Sequence, residues 1–97
     1  MYRLRPRAKE DIKQIYTASR QHFGDVQAEK YYRALFAAFR KLNDYPNLGA
    51  DYLFICEDIQ GFAMQSHVIF YQRQGKFDID MIRILHKRMD YQRYIDE

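Results

Sequence analysis

Ile79-Asp80-Met81-Ile82-Arg83-Ile84-Leu85-His86-Lys87-Arg88-Met89-Asp90 decides how the rest of this chain is read. Its first half is apolar at Ile79, Met81, Ile82, Ile84 and Leu85. Apolar residues at consecutive as well as alternate positions describe a strand covered on both faces. Arg83 is the one basic side chain that interrupts the run. The apolar pattern then stops, and His86, Lys87 and Arg88 follow at once. A buried strand that ends in titratable and cationic side chains holds them on a rigid support, a common way to build a site.

Upstream of this strand, Met64 to Gln72 alternates. His67, Ile69 and Tyr71 share one face, and Ser66, Val68 and Phe70 the other. Gln74-Gly75-Lys76 is short enough to join the two strands as a hairpin. Tyr52 to Asp58 reads as a further strand, and Gln60-Gly61 as the turn that ends it. Tyr2 to Arg5 alternates apolar or aromatic with basic residues and reads as an edge strand whose arginines discourage edge pairing.

Two helices fill the interval. Pro6 suits a first helical turn. Ala8, Ile12, Ile15, Tyr16, Ser19 and Phe23 recur at helical spacing and predict a helix from about Arg7 to His22. Glu10 and Asp11 stand in its early turns, where the helix dipole favours acids. Gly24 fits a left-handed closing residue, and Asp25 a cap for the next helix. Ala28, Tyr31, Tyr32, Leu35, Phe36, Ala38, Phe39 and Leu42 give that second helix a wide apolar face up to about Tyr45. So short a connection predicts an antiparallel helical hairpin. Pro46 and Gly49 mark the loop that follows. Asp90 to Asp96 has Tyr91, Tyr94 and Ile95 on one side of one or two helical turns. The order β-α-α-β-β-β predicts an α+β domain, a helical hairpin packed on a small antiparallel sheet, over residues 1–97 as a single domain.

Composition narrows the classes of function. With 97 residues, 47% of them hydrophobic, the chain holds one core and is not disordered. The net charge of +3 is compatible with an acidic partner, but mild for a specific DNA binder. Nine tyrosines and seven phenylalanines are more than one small core needs, so some aromatics are expected at an interface. One cysteine, Cys56, excludes an internal disulfide, and its strand pattern reads it as a small apolar residue. The N-terminus lacks an apolar signal core, and no stretch approaches the ~20 apolar residues that span a bilayer, so a cytoplasmic protein is expected. Three histidines and one cysteine without paired-ligand spacing argue against a metal. There is no phosphate-binding glycine loop and no serine elbow, and no cofactor is expected.

Four words of the sequence, in order, resemble the ParE branch of the ParE/RelE toxin superfamily. They are Phe23-Gly24 between the helices, Tyr45-Pro46-x-Leu48-Gly49 after them, His67-Val68-Ile69-Phe70-Tyr71 in a strand, and the Ile-x-Arg-Ile-Leu-His-x-Arg-Met-Asp pattern of residues 81–90 with Met81 in its first place. The resemblance runs from about Tyr2 to Asp90. It implies the toxin of a type II toxin–antitoxin system, with two partners and no chemistry of its own. One is a cognate antitoxin, a small DNA-binding dimer with a flexible C-terminal segment; the other is DNA gyrase, which the toxin inhibits by binding. No membrane contact and no sequence-specific DNA binding by this chain are implied.

Site residues follow from both readings. Arg83, His86, Lys87, Arg88 and Arg93 form the expected target-binding set. Tyr16, Tyr31, Tyr32 and Phe36 on the hairpin, together with the sheet edge, form the expected antitoxin-binding set. The alternative is a RelE-like mRNA endoribonuclease, in which a ribose 2′-OH attacks the adjacent phosphate and cations stabilise the developing charge. It would use His86, Arg88 and Tyr94, with Tyr91 as the other candidate for the tyrosine and His67 as a second candidate acid or base. Val68 stands where that branch places a basic residue, and a valine cannot stabilise a phosphorane. A detoxified binding module is a further alternative. The sheet face opposite the helices is expected to lie partly open for a partner.

Overall fold

The structure, a computed structural model, describes residues 1–52, 58–75 and 78–95. Strand β1 (Tyr2–Leu4) leads into the helical segment α1 (Pro6–Asp44). A short 3-10 turn over Pro46–Leu48 follows, then β2 (Ala50–Asp51), β3 (Ile59–Met64), β4 (His67–Gln74), β5 (Asp78–His86) and α2 (Tyr91–Ile95). The five strands form one sheet in the order β1-β5-β4-β3-β2. β2 to β5 pair antiparallel, and β1 adds to the edge parallel to β5.

α1 breaks at Gly24, whose φ of 85° and ψ of 173° are not helical. Glycine takes this positive φ without the steric penalty a side chain would meet. The two arms fold back on each other. Tyr16 and Tyr32 have ring centroids 5.6 Å apart, whereas sixteen residues of unbroken helix would separate them by about 24 Å. Asp25 does not act as a helix cap: its carboxylate accepts a hydrogen bond from Arg20 Nε at 2.8 Å, which pairs the two sides of the break.

The hairpin lies on one face of the sheet. Ala8, Ile12 and Ile15 from the first arm and Leu35, Phe39 and Leu42 from the second meet Ile69 and Tyr71 of β4 and Ile79, Met81 and Ile84 of β5. The step from Met81 to Ile84 breaks strict alternation. A bulge shifts the register so that Phe70 opposes Arg83 and Tyr71 opposes Met81, with Ile82 left between them. This accounts for the consecutive apolar residues of β5: Ile82 and Leu85 turn to the other face.

That second face is not open, contrary to the sequence-based expectation. Val68 and Phe70 are 2% and 0% exposed. They sit with Ile59 and Leu85 under Tyr52, Met89, Tyr91, Tyr94 and Ile95. The C-terminal turns supply the cover that a partner was expected to supply. A second correction concerns Gln60-Gly61, which is no turn. Both residues lie inside β3 and pair with Tyr71 and Phe70. The reversal falls at Gln65-Ser66, where Gln65 has φ 41°. Gly61 is required by packing, since a Cβ there would run into the Tyr52 ring. The strand expected over Tyr52 to Asp58 falls largely on residues 53–57, outside the described residues, as does Cys56.

The Tyr71 hydroxyl fastens the loop after the hairpin. It donates to Pro46 O at 2.7 Å and accepts from Gly49 N–H at 2.9 Å. Tyr71→Phe removes both bonds while keeping the ring in the core. We expect it to lower stability by about 1–3 kcal/mol, read as a shift in the urea midpoint with an unchanged slope.

Candidate functional site

The sheet and the hairpin part at one end, and a cleft of about 690 Å³ lies between them. The hairpin wall carries Asp11, Gln14, Ile15, Ala18, His22, Phe23 and Tyr31; the sheet wall carries Ser66, His67, Arg83, Leu85 and His86. Met89 and Tyr94 close the C-terminal side. Its floor is an ion pair. Arg83 Nε donates to Asp11 Oδ2 at 2.8 Å and Arg83 Nη2 donates to Asp11 Oδ1 at 2.9 Å. The backbone N–H of Ile84 donates to the same carboxylate at 3.0 Å. Arg83 Nη1 donates to Tyr94 O at 2.9 Å, and its guanidinium lies 5.9 Å from the Tyr94 ring centre. The two side chains are 12% and 9% exposed. Two parallel charge-assisted bonds in a dry setting are the strong form of this contact.

His67 and His86 oppose each other across β4 and β5, with ring centroids 5.3 Å apart and planes at 79°. Tyr31 brings its hydroxyl to 2.7 Å from His67 Nδ1. His86 Nδ1 accepts the backbone N–H of Arg88 at 3.1 Å. Burial lowers the pKa of His67 from 6.5 to about 4; the neighbouring His86 adds to the effect and Asp11 opposes it.

Beyond β5 the backbone turns sharply and is held. Lys87 N–H donates to Ser66 O at 2.9 Å, Met89 N–H donates to His86 O at 2.9 Å, and the Tyr91 hydroxyl donates to Lys87 O at 3.0 Å. Lys87 and Arg88 are exposed on this turn, and Arg93 is exposed on α2. None of these three side chains has an ion-pair partner among the described residues.

The expected target-binding residues therefore separate. Lys87, Arg88 and Arg93 stand on the surface, His86 lines the cleft, and the Arg83 side chain is largely buried in the Asp11 pair. Among the hairpin residues, Tyr16, Tyr32 and Phe36 form a ladder, with Tyr32 4.9 Å from Phe36 and Phe36 5.2 Å from Phe39. Tyr32 is 42% exposed. Tyr31 turns into the cleft instead. Tyr94 is half-buried against the second core. Sequence reasoning gave Asp11 only a role toward the helix dipole. Its spacing from Ala8, Ile12 and Ile15 already set it on the apolar face, which was the available signal.

A two-armed hairpin on a mixed five-stranded sheet, with a basic turn at the end of its last full strand, is a small α+β architecture. Comparison with known proteins shows the family. A family model described as the ParE toxin of the type II toxin–antitoxin system parDE matches residues 2–91. The chain is 33% identical over 96 residues to a protein named Toxin ParE1 of Mycobacterium tuberculosis, covering 95% of this chain and 94% of that one. It is 35% identical over 89 residues to Toxin ParE1 of Caulobacter vibrioides, covering 92% and 91%. A solved structure titled "Chromosomal ParDE TA system from P. aeruginosa" shares the fold with a TM-score of 0.76 at 17% identity, over 88% of this chain and 92% of that one. This chain belongs to the ParE toxin family of type II toxin–antitoxin systems. Among the described residues no helix is long and apolar enough to cross a membrane.

Arg83→Ala leaves the Asp11 carboxylate buried without its partner. We expect a loss of about 3–5 kcal/mol, with much of it recovered when Asp11→Leu is combined with Arg83→Met. Denaturant unfolding of the two variants tests this. His67 gives a pH dependence. Its folded-state pKa lies below the unfolded value, so the unfolded chain takes up the proton first. Stability is full above pH 6.5 and falls as the pH drops toward about 4. His67→Gln should flatten that part of the stability–pH curve.

Proposed function

We propose that this toxin arrests growth by binding DNA gyrase, with no chemistry of its own, and that a cognate antitoxin neutralises it. The observation that carries the reading is the basic turn after β5. Lys87 and Arg88 are exposed on a backbone fixed by three hydrogen bonds, with Arg93 nearby on α2. Cations held at the surface without internal partners give an interface long-range attraction and orientation. The other half of the reading rests on the hairpin. The Tyr16–Tyr32–Phe36 ladder offers rigid, partly exposed aromatic area, the type of surface that anchors a protein partner. The antitoxin is of the type expected for such a toxin, a small DNA-binding dimer with a flexible C-terminal segment, and it is the antitoxin that reads DNA.

The ribonuclease alternative has weaker support. Val68 is 2% exposed within the second core. Tyr94 is held by its contacts with Arg83 and that core, and His86 Nδ1 is occupied by the Arg88 N–H.

The test is a supercoiling assay with purified gyrase and relaxed plasmid. The wild-type toxin should block supercoiling. Lys87→Glu combined with Arg88→Glu should weaken inhibition at least tenfold, with far-UV circular dichroism unchanged. Growth arrest with supercoiling intact would instead favour RNA cleavage. Neither arrest nor gyrase inhibition would favour a binding module that has lost toxicity.

A further inference from the structure

All three histidines of the chain, His22, His67 and His86, line the one cleft. The hydrogen bonds around two of them fix what they present to it. His86 Nδ1 accepts a backbone N–H, so neutral His86 carries its proton on Nε2. The Tyr31 hydroxyl is 2.7 Å from His67 Nδ1, while its other acceptor, Met64 O, is 3.5 Å away. The shorter contact assigns the hydroxyl proton to Nδ1, and this assignment puts the proton of neutral His67 on Nε2. Neither Nε2 has a partner among the described residues. Two N–H donors on rings whose centroids lie 5.3 Å apart suit an oxygen acceptor. They do not suit a metal ion, which would need lone pairs at those atoms.

The other charged and titratable groups at the cleft decide which acceptor. From the first arm come Asp11 and His22, from the second arm Tyr31, from β5 Arg83 beside His86, and from the C-terminal turns Tyr94. Asp11 is the only acid lining the cleft among the described residues, and it is closed in by Arg83 and Ile84 N–H. Arg83 is likewise engaged by Asp11 and Tyr94 O. The wall thus offers two imidazole donors, and the one guanidinium among its described residues is already engaged, which matches one carboxylate better than a chain of phosphates. Ile15, Ala18 and Leu85 add apolar wall, and Phe23, 72% exposed, stands at the rim.

We propose that this cleft seats a segment of the antitoxin through one Asp or Glu carboxylate, held by the Nε2–H groups of His67 and His86, and that His67 takes up a proton as it binds. The proposal rests on the antitoxin reading above. The proton has a path that leaves the backbone in place. Protonated His67 donates from Nδ1 to the Tyr31 oxygen, and the Tyr31 hydroxyl turns to Met64 O. His86 Nδ1 faces the Arg88 N–H instead of a hydroxyl that can turn. In the free protein burial keeps His67 neutral down to about pH 4. A carboxylate against it raises its proton affinity, so binding and protonation favour each other.

The experiment is calorimetric titration of the full-length toxin with its full-length cognate antitoxin, between pH 7.5 and 5, in two buffers of different ionisation enthalpy. We expect net proton uptake below pH 6.5 and an affinity that rises about tenfold over that range, since one proton can contribute at most about tenfold per pH unit. His67→Gln keeps a donor near Nε2 but cannot titrate, so it should bind with no proton uptake and no pH slope. Binding with no uptake by the wild-type toxin overturns this proposal and leaves the antitoxin reading standing. Uptake that persists in His67→Gln overturns it as well. Absence of binding at any pH overturns both. Proton-linked binding of a single-stranded RNA oligonucleotide, with none for the antitoxin, would assign the cleft to nucleic acid instead.

Discussion

The Asp11–Arg83 pair is the constraint on which the rest of the structure depends. It joins residues 72 positions apart in the chain and ties three elements at one point: the first arm of the hairpin, the last full strand and, through Tyr94 O, the C-terminal helix. Charges buried this far from water are tolerated only when their remaining bonding capacity is met. Here the carboxylate takes two bonds from the guanidinium and one from the Ile84 backbone. The sheet separates the two cores, with apolar side chains packed under the hairpin on one face and under α2 on the other. Arg83 reaches both sides, Asp11 on the hairpin and Tyr94 O on α2.

Sheet geometry explains why the cleft has its chemistry. The bulge in β5 reverses the facing of every residue after Ile82. Without it, Ile84 and His86 would point away from the hairpin. With it, His86 meets His67 on the side that Tyr31 reaches. One extra residue in one strand therefore decides that the histidines form a pair within a cleft.

Much of this was legible in the sequence, and what was not has physical causes. The hairpin, its break at Gly24 and the faces of β4 could be read because each rests on local periodicity or a single residue type. The family resemblance could be read from the words around residues 23, 45, 67 and 81. The reversal between β3 and β4 was misplaced. Gln60-Gly61 has the composition of a turn, but Gly61 is small to admit the Tyr52 ring, and the true turn at Gln65-Ser66 has no strong signal. The role of Arg83 was also missed. A lone basic residue in an apolar strand and a lone acid on the apolar face of a helix are two halves of one observation. Taken one element at a time, each looks like an ordinary surface charge. The cover of the second face by α2 went unread because five residues carry too short a pattern to assign a packing partner.

The parallel pairing of β1 with β5 has a consequence for how the protein comes into being. Tyr2 lies beside Ile79, and Leu4 beside Met81. At a translation rate of about 5–20 residues per second, β1 waits roughly 4–15 s for the strand that receives it. The Asp11 carboxylate waits a similar time for Arg83. During that interval the hairpin can form from local contacts, but neither core can close, so the nascent chain passes through a stage with exposed apolar surface. Both cores contain residues of β5, so neither can close before that strand is made, and the basic turn at Lys87 and Arg88 is built directly onto its end.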